Sequence, residues 1–286
     1  MKKHSFSIIV PVYNDEKGLK DTLHSLTGMS FPADLFEIIV VDNGSDDRSL
    51  NIAYTYQKNY PGLIQVLSEN TVRSSYAARN EGIKKSSGEI LVFLDANMSV
   101  NPDFLDRLNT VFIDDSPDYT GFRVVLSTGD PANFFERFDK HTAFPVEGYL
   151  RFRHFCPTCC LAVKKKVFEK IGLFDPLFTS GGDYEFGNRV YDNGMLQSFT
   201  PSIEVYHPAR NGFASLAKKA FRVGRGRAVI RNAGIKLYRS NEKNPAKHIA
   251  PFGENILFHI LKLCLFGIKC VGFASGYIKS MFLVRH

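Results

Sequence analysis

Two glycine-rich phosphate-binding motifs are missing from this sequence of 286 residues. The first apolar run leads into Pro11–Glu16 without a GxGxxG pattern, which argues against a dinucleotide-binding Rossmann domain. Neither GxxxxGKS nor GxxxxGKT occurs, so a P-loop NTPase is excluded as well. A nucleotide bound to this chain would have to be held by side chains on strand ends and by a metal ion.

Cysteine is scarce, and its placement does not suggest a disulfide framework. Three of the five cysteines are bunched at positions 156, 159 and 160. Their CxxC has no second CxxC and no nearby pair of histidines, so buried apolar thiols are favoured over a zinc site. At the amino terminus Pro11 breaks the apolar run, and no small-residue cleavage site follows. We expect a first strand rather than a signal peptide, and a cytoplasmic protein.

The charge balance is basic, with a formal net charge of +7 and a pI near 9.1. An excess of this size indicates an anionic partner, which could be a nucleotide, a nucleic acid or an acidic lipid. Charge alone does not choose among the three.

Short apolar runs alternate with amphipathic runs through the first hundred residues. We predict strands at Ser5–Val12, Phe36–Val41, Leu63–Leu67 and Glu89–Leu94, with helices at about 16–27, 47–59 and 74–85. This alternation predicts an α/β fold with a mixed, mostly parallel sheet flanked by helices. Each strand runs into polar or turn residues, and ligands bind at that edge of such sheets.

The run Glu89–Leu94 ends at Asp95, with Asn97 two positions later. These residues offer two side-chain oxygens suited to a hard divalent cation, Mn²⁺ or Mg²⁺, held against a diphosphate. An isolated aspartate here would more simply open a turn. The other strand-end clusters favour the ligand site.

The second half of the chain is less regular. We predict a helix after Pro102, a strand at Gly121–Leu126, a helix near 132–140, a strand around Thr158–Val163, a helix at Lys164–Ile171, a glycine-rich turn leading to a helix that runs through Arg189, and a strand at Ser202–Tyr206. Residues 1–210 then form one domain, with a nucleotide-binding half (about 1–100) and an acceptor half (about 101–210).

Residues 211–286 form a basic and apolar helical extension. Lysines at 262, 269 and 279 interrupt its apolar run, so we expect no clear membrane span. His259, Lys262 and Lys269 fall near one helical face. An in-plane helix at an anionic membrane surface and a helix packed on the protein or a second subunit are equally favoured.

Four blocks resemble the signature of family 2 glycosyltransferases with the GT-A fold. They are Ile8–Asn14 with Glu16, Ile39–Asp47, Ala77–Ile83 and Phe93–Asn97. Later stretches at Ala162–Phe168, Ile171–Asp175 and Gly181–Phe186 resemble the acceptor-side blocks. The resemblance covers about residues 5–210.

The resemblance implies a role for each matching position. The nucleotide would be bound by Pro11, Tyr13, Glu16, Asp42, Arg79 and Asp95. Asp95, Asn97 and His207 would hold the divalent cation, and Asp183 would be the general base. The implied reaction is inverting transfer of one sugar from a nucleotide-sugar, UDP-linked by expectation, to a glycan or glycolipid acceptor. Without tryptophan or a clear span, the chain departs from the processive synthases of the family.

Two departures from the family pattern leave alternatives open. The usual second metal-side aspartate is Asn97, and the glutamate that usually precedes the base is Gly182, so Glu185 is a second candidate for the base. A catalytically silent nucleotide-sugar-binding or scaffold protein is therefore an alternative. A nucleic-acid partner is not expected, because carboxylates on the strand ends would repel phosphates in the absence of a metal.

Overall fold

The computed structural model describes residues 3–114, 116–142, 144–235, 238 and 252–283. Within these ranges there are eight strands: β1 Phe6–Val12, β2 Phe36–Asp42, β3 Ile64–Ser68, β4 Ile90–Phe93, β5 Ser99–Val100, β6 Tyr119–Ser127, β7 Leu161–Lys164 and β8 Gln197–Pro208. The α-helices are α1 Glu16–Thr27, α2 Ser49–Asn59, α3 Ser75–Lys85, α4 Phe104–Asp114, α5 Phe134–Thr142, α6 Val146–Arg153, α7 Lys165–Ile171, α8 Gly182–Asp192, α9 Phe213–Asn232 and α10 Phe252–Leu283.

The strands join into one mixed sheet in the order β3-β2-β1-β4-β7-β6-β8-β5. The first four are parallel, as the alternating pattern predicted. β7 runs antiparallel to both β4 and β6, while β8 lies parallel to β6. The predicted α/β class, with a mixed and mostly parallel sheet, is confirmed.

The core follows from the apolar runs. Every residue of β1 and β4 is buried, as expected of strands covered by helices on both faces. On α1, the leucines Leu19, Leu23 and Leu26 share one face of the helix and are fully buried. The sheet and its helices therefore hold the carboxyl ends of β1, β2 and β4 in fixed positions.

Some elements differ from the predictions. Thr158–Cys160 is a 3-10 turn, so the strand begins only at Leu161. The helix α6 and the two-residue strand β5 carry patterns too short to be recognised as elements. The buried thiols at 156, 159 and 160 are free, as the apolar interpretation expected.

The extension is a helix pair, α9 against α10, whose axes approach closely at glycines. A Cβ at Gly224 would lie 2.0 Å from the Lys269 carbonyl oxygen, and one at Gly272 would lie 2.2 Å from the Phe221 carbonyl oxygen. Only glycine allows this spacing between helix backbones. The start of α10 also packs through Phe258 on α5.

Helix α10 runs without a break from Phe252 to Leu283, in line with the predicted helical extension, and the lysines lie within it. Ile256–Ile278 has a mean hydropathy of 1.9 and is, by length and composition, able to cross a membrane. Only 17% of this stretch is buried within the protein. Lys262 and Lys269 lie inside this stretch, and its other residues are apolar enough to keep the mean hydropathy high. By length and composition, the expectation that the lysines leave no such stretch is therefore not met.

Candidate active site

Polar side chains meet at the carboxyl edge of the parallel strands, as predicted. Asp42 ends β2, opposite Val12 of β1. The Leu94 amide donates to the Ile9 carbonyl, so Asp95 leaves the sheet beside the end of β1. Neighbouring strands lie about 4.8 Å apart, so the β2 and β4 edges are about 10 Å apart. That span suits a nucleoside and the phosphates attached to it.

Asp42 is almost fully buried, at 2% exposure. Its Oδ2 accepts hydrogen bonds from the amides of Gly44 and Ser45, both at 3.1 Å. Gly44 has φ +77°, a conformation that glycine adopts without strain. The turn thus fixes one oxygen of Asp42, while Oδ1 is buried without a partner among the described residues.

The loop after β1 forms the outer wall of this edge. Pro11 is buried within β1, so it contributes to the packing under this loop rather than to its exposed surface. Tyr13 is 47% exposed, and its hydroxyl accepts from Arg73 Nη1 at 3.2 Å. Glu16 accepts from the Arg48 amide at 2.9 Å, which ties the loop to the turn after β2. Of these three predicted residues, Tyr13 is the exposed one, and the Arg73 guanidinium lies 5.4 Å from the centre of its ring.

Arg79 is the buried centre of the site. Its Nη2 donates to Asp95 Oδ1 at 2.5 Å, and its Nη1 donates to the Ser75 carbonyl at 3.2 Å. The Arg79 side chain is 3% exposed, whereas that of Asp95 is 43% exposed. The ion pair therefore fixes one carboxylate oxygen of Asp95 and leaves the group accessible to a ligand.

Asp183 lies in the first turn of α8, on the other side of α3. Its Oδ1 accepts from Tyr76 Oη at 3.3 Å and from the Tyr184 amide at 2.9 Å. Burial raises the pKa of Asp183, and the Tyr184 hydrogen bond and nearby Arg79 partly offset this rise. A carboxylate with a raised pKa is a stronger base than one in water.

The structure favours Asp183 over Glu185 as the base. Both Glu185 oxygens are engaged by Arg189, with Nη2 to Oε2 at 3.1 Å and a short contact from Nε to Oε1. Arg189 also donates to the carbonyls of Ile171 and Leu173. Glu185 is thus one part of a buried structural ion pair.

His207 reaches the site through β5, the short strand that the sequence did not reveal. Ser99 of β5 pairs with Tyr206 of β8, which sets His207 opposite Met98, next to Asn97. His207 Nδ1 lies 2.6 Å from the Pro208 carbonyl, an acceptor, so Nδ1 carries the proton and Nε2 has a free lone pair. Burial, reinforced by Arg210, lowers the pKa of His207 and favours this neutral form.

The donor set for a cation is mixed. The Asn97 Oδ1 is buried without a partner among the described residues, as an oxygen awaiting a ligand would be. A carboxylate, an amide oxygen and a neutral imidazole are suitable ligands for Mn²⁺ or Mg²⁺. Within the described ranges, however, no group of three or more His, Cys, Asp or Glu side chains could hold a metal. The residues fit a cation that takes its remaining ligands from elsewhere.

A second charged cluster supports this corner of the site. Asp139, 1% exposed, accepts from the Arg210 amide at 3.0 Å and from its Nη1 at 3.1 Å, and pairs with Lys219 at 3.6 Å. Burial lowers the pKa of Lys219 to about 8. The cluster joins α5, α9 and the end of β8 next to His207. Arg210 therefore helps to hold these elements together.

Sequence reasoning missed two residues that assemble the site. Asn80 exchanges hydrogen bonds with the Phe174 backbone, 2.8 Å to its carbonyl and 3.1 Å from its amide. Tyr76 bonds Asp183 across 107 positions. Both lie within or beside the Ala77–Ile83 block, but nothing in the sequence indicates which distant backbone or side chain they meet.

Comparison with known proteins shows the family to which the chain belongs. The sequence model described as Glycosyl transferase family 2 matches residues 7–172. The chain is 35% identical to glycosyltransferase AglE of Haloferax volcanii over 224 residues, which cover 78% of this chain and 73% of AglE. A poly(ribitol-phosphate) beta-glucosyltransferase of Bacillus spizizenii is 38% identical over 103 residues, which cover 35% of this chain and 16% of that protein.

Solved structures share the architecture at lower sequence identity. The mannosyltransferase PcManGT of Pyrobaculum calidifontis, in complex with GDP-Man and Mn²⁺, superposes with a TM-score of 0.60 at 18% identity, over 96% of this chain and 75% of that one. Residues 1–349 of S. aureus TarS with UDP-GlcNAc give 0.58 at 18% identity, over 97% and 91%. The chain has the GT-A fold and belongs to glycosyltransferase family 2.

Proposed function

We propose that this glycosyltransferase catalyses inverting, cation-dependent transfer of a single sugar from a nucleotide-sugar, of UDP type, to a hydroxyl of a glycan or glycolipid. One observation carries the proposal. Among the described residues, the buried side-chain polar atoms without a partner are Asp42 Oδ1, Arg79 Nε and Asn97 Oδ1. Each such atom costs about 1–3 kcal/mol. A nucleotide-sugar with its cation is a ligand that would satisfy atoms of this kind along one sheet edge.

Each residue has a chemical task in this reaction. Asp42 would bind the base, and Tyr13 would stack on it. Arg79 would hold Asp95 in place near the ribose. Asp183 would take the proton from the acceptor hydroxyl as that oxygen attacks the sugar, so a single in-line displacement needs no covalent intermediate.

Asp95, Asn97 and His207 would hold the divalent cation, with further ligands from the diphosphate. The cation would supply neutralisation of the negative charge that develops on the nucleoside diphosphate as it leaves. PcManGT, which shares the fold, was solved with Mn²⁺, and this supports a divalent cation in the proposed reaction.

Two residues favour a second candidate, a silent nucleotide-sugar-binding protein. Asn97 is a weaker ligand than a carboxylate, and position 182 carries no acid. Such a protein would bind donor and cation but would not turn the donor over.

The decisive experiment separates binding from turnover. UDP-GlcNAc, UDP-glucose and GDP-mannose are tested for thermal stabilisation with Mn²⁺ or EDTA, and for nucleotide release. Asp183→Asn should keep donor binding and lose turnover by about 100-fold or more. Asp34→Asn, at an exposed aspartate, is the matched control. Donor binding without turnover by the wild type would support the silent protein, and no binding of any donor would contradict both candidates.

The outer face of α10 supports a membrane partner. Ile260, Leu263 and Phe266 are 53%, 71% and 64% exposed, and together with neighbouring apolar residues they leave one side of the helix uncovered. Such a continuous face on one helix indicates contact with lipid or protein.

Charge favours lipid. Helix α9 carries six basic residues and no acidic one. Lys269 of α10 lies near Arg153 and Arg227, and burial, reinforced by these cations, lowers its pKa to about 8. An uncovered apolar face next to this group of cations suits an anionic bilayer surface. A peripheral position on the cytoplasmic leaflet would bring the cleft to a glycolipid acceptor.

Vesicle flotation tests this partner. The protein should bind phosphatidylcholine vesicles that contain phosphatidylglycerol more tightly than vesicles without it. Leu263→Glu should weaken binding by about tenfold or more, because a buried leucine contributes about 2 kcal/mol. Tyr54→Glu, which places the same charge on the half-exposed face of α2, should not. Dimerisation lost in Leu263→Glu, without any vesicle binding, would assign the face to a second copy.

A further inference from the structure

Tyr76 stands between the base and the buried arginine of the site. Its hydroxyl donates to Asp183 Oδ1 at 3.3 Å and accepts from the Asp183 amide at 3.2 Å. The Arg79 guanidinium lies 5.7 Å from the centre of its ring. Because residues 76 and 79 are one helical turn apart, α3 connects Asp183 on one side with Asp95 on the other.

The ring of Tyr76 is fixed from several sides. A Cβ at Gly182 would lie 2.9 Å from Cε2 of the ring, so the ring occupies the space that a side chain at position 182 would need. Phe174 packs on the ring, with centroids 5.7 Å apart. Tyr76 is 5% exposed. The Tyr76 hydroxyl is therefore held at one place in the cleft. The ring can occupy this position only because residue 182 is a glycine and has no side chain.

We propose that Tyr76 is a positioning residue for the base, which orients the Asp183 carboxylate toward the acceptor hydroxyl. Among the described residues, the hydrogen bonds that the carboxylate accepts, from Tyr76 Oη and the Tyr184 amide, both reach Oδ1. Oδ2 is then the oxygen that takes the proton. This inference rests on the proposed function of Asp183.

Several charged and titratable groups face Asp183 from the surrounding elements. They are Tyr76 and Arg79 of α3, Arg222 of α9, Tyr149 of α6, Tyr119 of β6 and Cys156. Burial raises the pKa of Asp183, while the Tyr76 hydrogen bond and the two arginines lower it. Removing the Tyr76 hydroxyl while leaving the others in place therefore raises this pKa further.

The test is Tyr76→Phe, which keeps the ring and removes the hydroxyl. With the best donor of the panel and Mn²⁺, kcat should fall about 5- to 10-fold, while the donor KM should stay within about twofold. The acid limb of the kcat–pH profile should move to higher pH by about half to one pH unit. Tyr56→Phe is the matched control. Its hydroxyl, on α2, donates to the Lys20 carbonyl of α1 at 3.4 Å, so none of these kinetic changes is expected.

A double-mutant cycle of Tyr76→Phe and Asp183→Asn in thermal unfolding tests the contact without turnover. The inference predicts that the two effects on Tm are non-additive at neutral pH. Additive effects, or an unchanged kcat and acid limb in Tyr76→Phe, would overturn the inference while leaving the proposed function intact. If the wild type turns over no donor but the cycle is non-additive, the proposed function fails and the contact stands.

Discussion

At the scale of single residues, the candidate site is marked by buried polar side-chain atoms that have no hydrogen-bond partner among the described residues. Proteins satisfy nearly all buried polar atoms, and an atom left without a partner marks a place where a ligand is expected. In the described part of the chain such side-chain atoms belong to Asp42, Arg79 and Asn97. All three residues were selected from the sequence. Their desolvation is a cost that the fold bears and that binding would relieve.

The same reasoning predicts that Asp183, the proposed base, destabilises the protein. Burial raises the Asp183 pKa above 3.8, so the folded state binds a proton more tightly than the unfolded state. Its contribution to stability therefore falls as the pH rises from about 4 through the folded pKa. Asp183→Asn should raise Tm at neutral pH, and the difference from the wild type should vanish at acid pH. Calorimetry between pH 4 and 8 measures this. A Tm gain that is independent of pH would contradict the assignment.

At the scale of elements, glycines decide how the extension packs. Gly224 of α9 and Gly272 of α10 let the two backbones meet, and Gly181 and Gly226 bring α9 against the turn before Asp183. A Cβ at Gly226 would lie 2.3 Å from the Ser180 carbonyl oxygen. The extension is therefore packed directly on the loop that positions the base.

Helix α10 offers a matched pair of substitutions for this contact. Gly272→Ala places its Cβ against the Phe221 carbonyl, whereas a Cβ at Gly267 meets nothing within 4 Å. Gly272→Ala should cost about 1–3 kcal/mol in free energy of unfolding. Gly267→Ala should be neutral or slightly stabilising, because alanine favours a helix more than glycine does. Equal effects in chemical denaturation would show that the helices are not in backbone contact.

At the scale of the whole molecule, α3 joins the two halves. Tyr76 and Asn80 reach the acceptor half, Arg79 reaches the end of β4, and Ser74 Oγ donates to the Phe178 carbonyl at 2.6 Å. One helix thus sets the distance between donor-side and acceptor-side residues. A transfer reaction needs this distance to be fixed.

Asn80→Ala tests this connection. It leaves the amide and carbonyl of Phe174 without their partners, which should cost about 1–3 kcal/mol of stability. The loop from Gly172 to Gly181 should exchange its amide hydrogens faster, while β1 and β2 stay protected. Mass-spectrometric hydrogen exchange would show this, and uniform loosening of the sheet would contradict a local role. Thr55→Ala, on the exposed side of α2, is a suitable control.

The sequence by itself determined the first half of the sheet and the polar edge at which the proposed site lies. Asp42, Asp95 and Asn97 follow buried apolar runs, and the period of those runs directly reports strands and the ends of strands. The polar motifs at these strand ends were sufficient to predict a nucleotide site without a P-loop or a Rossmann turn.

Only the tertiary structure decided how Asp183 and His207 join that edge. β5 is two residues long and has no periodicity to read, yet its pairing with β8 brings His207 beside Asn97. Tyr76 meets Asp183 because α3 and α8 pack across the end of the sheet. Contacts between residues so far apart in the chain depend on the packing of whole elements. Local sequence patterns therefore do not predict them.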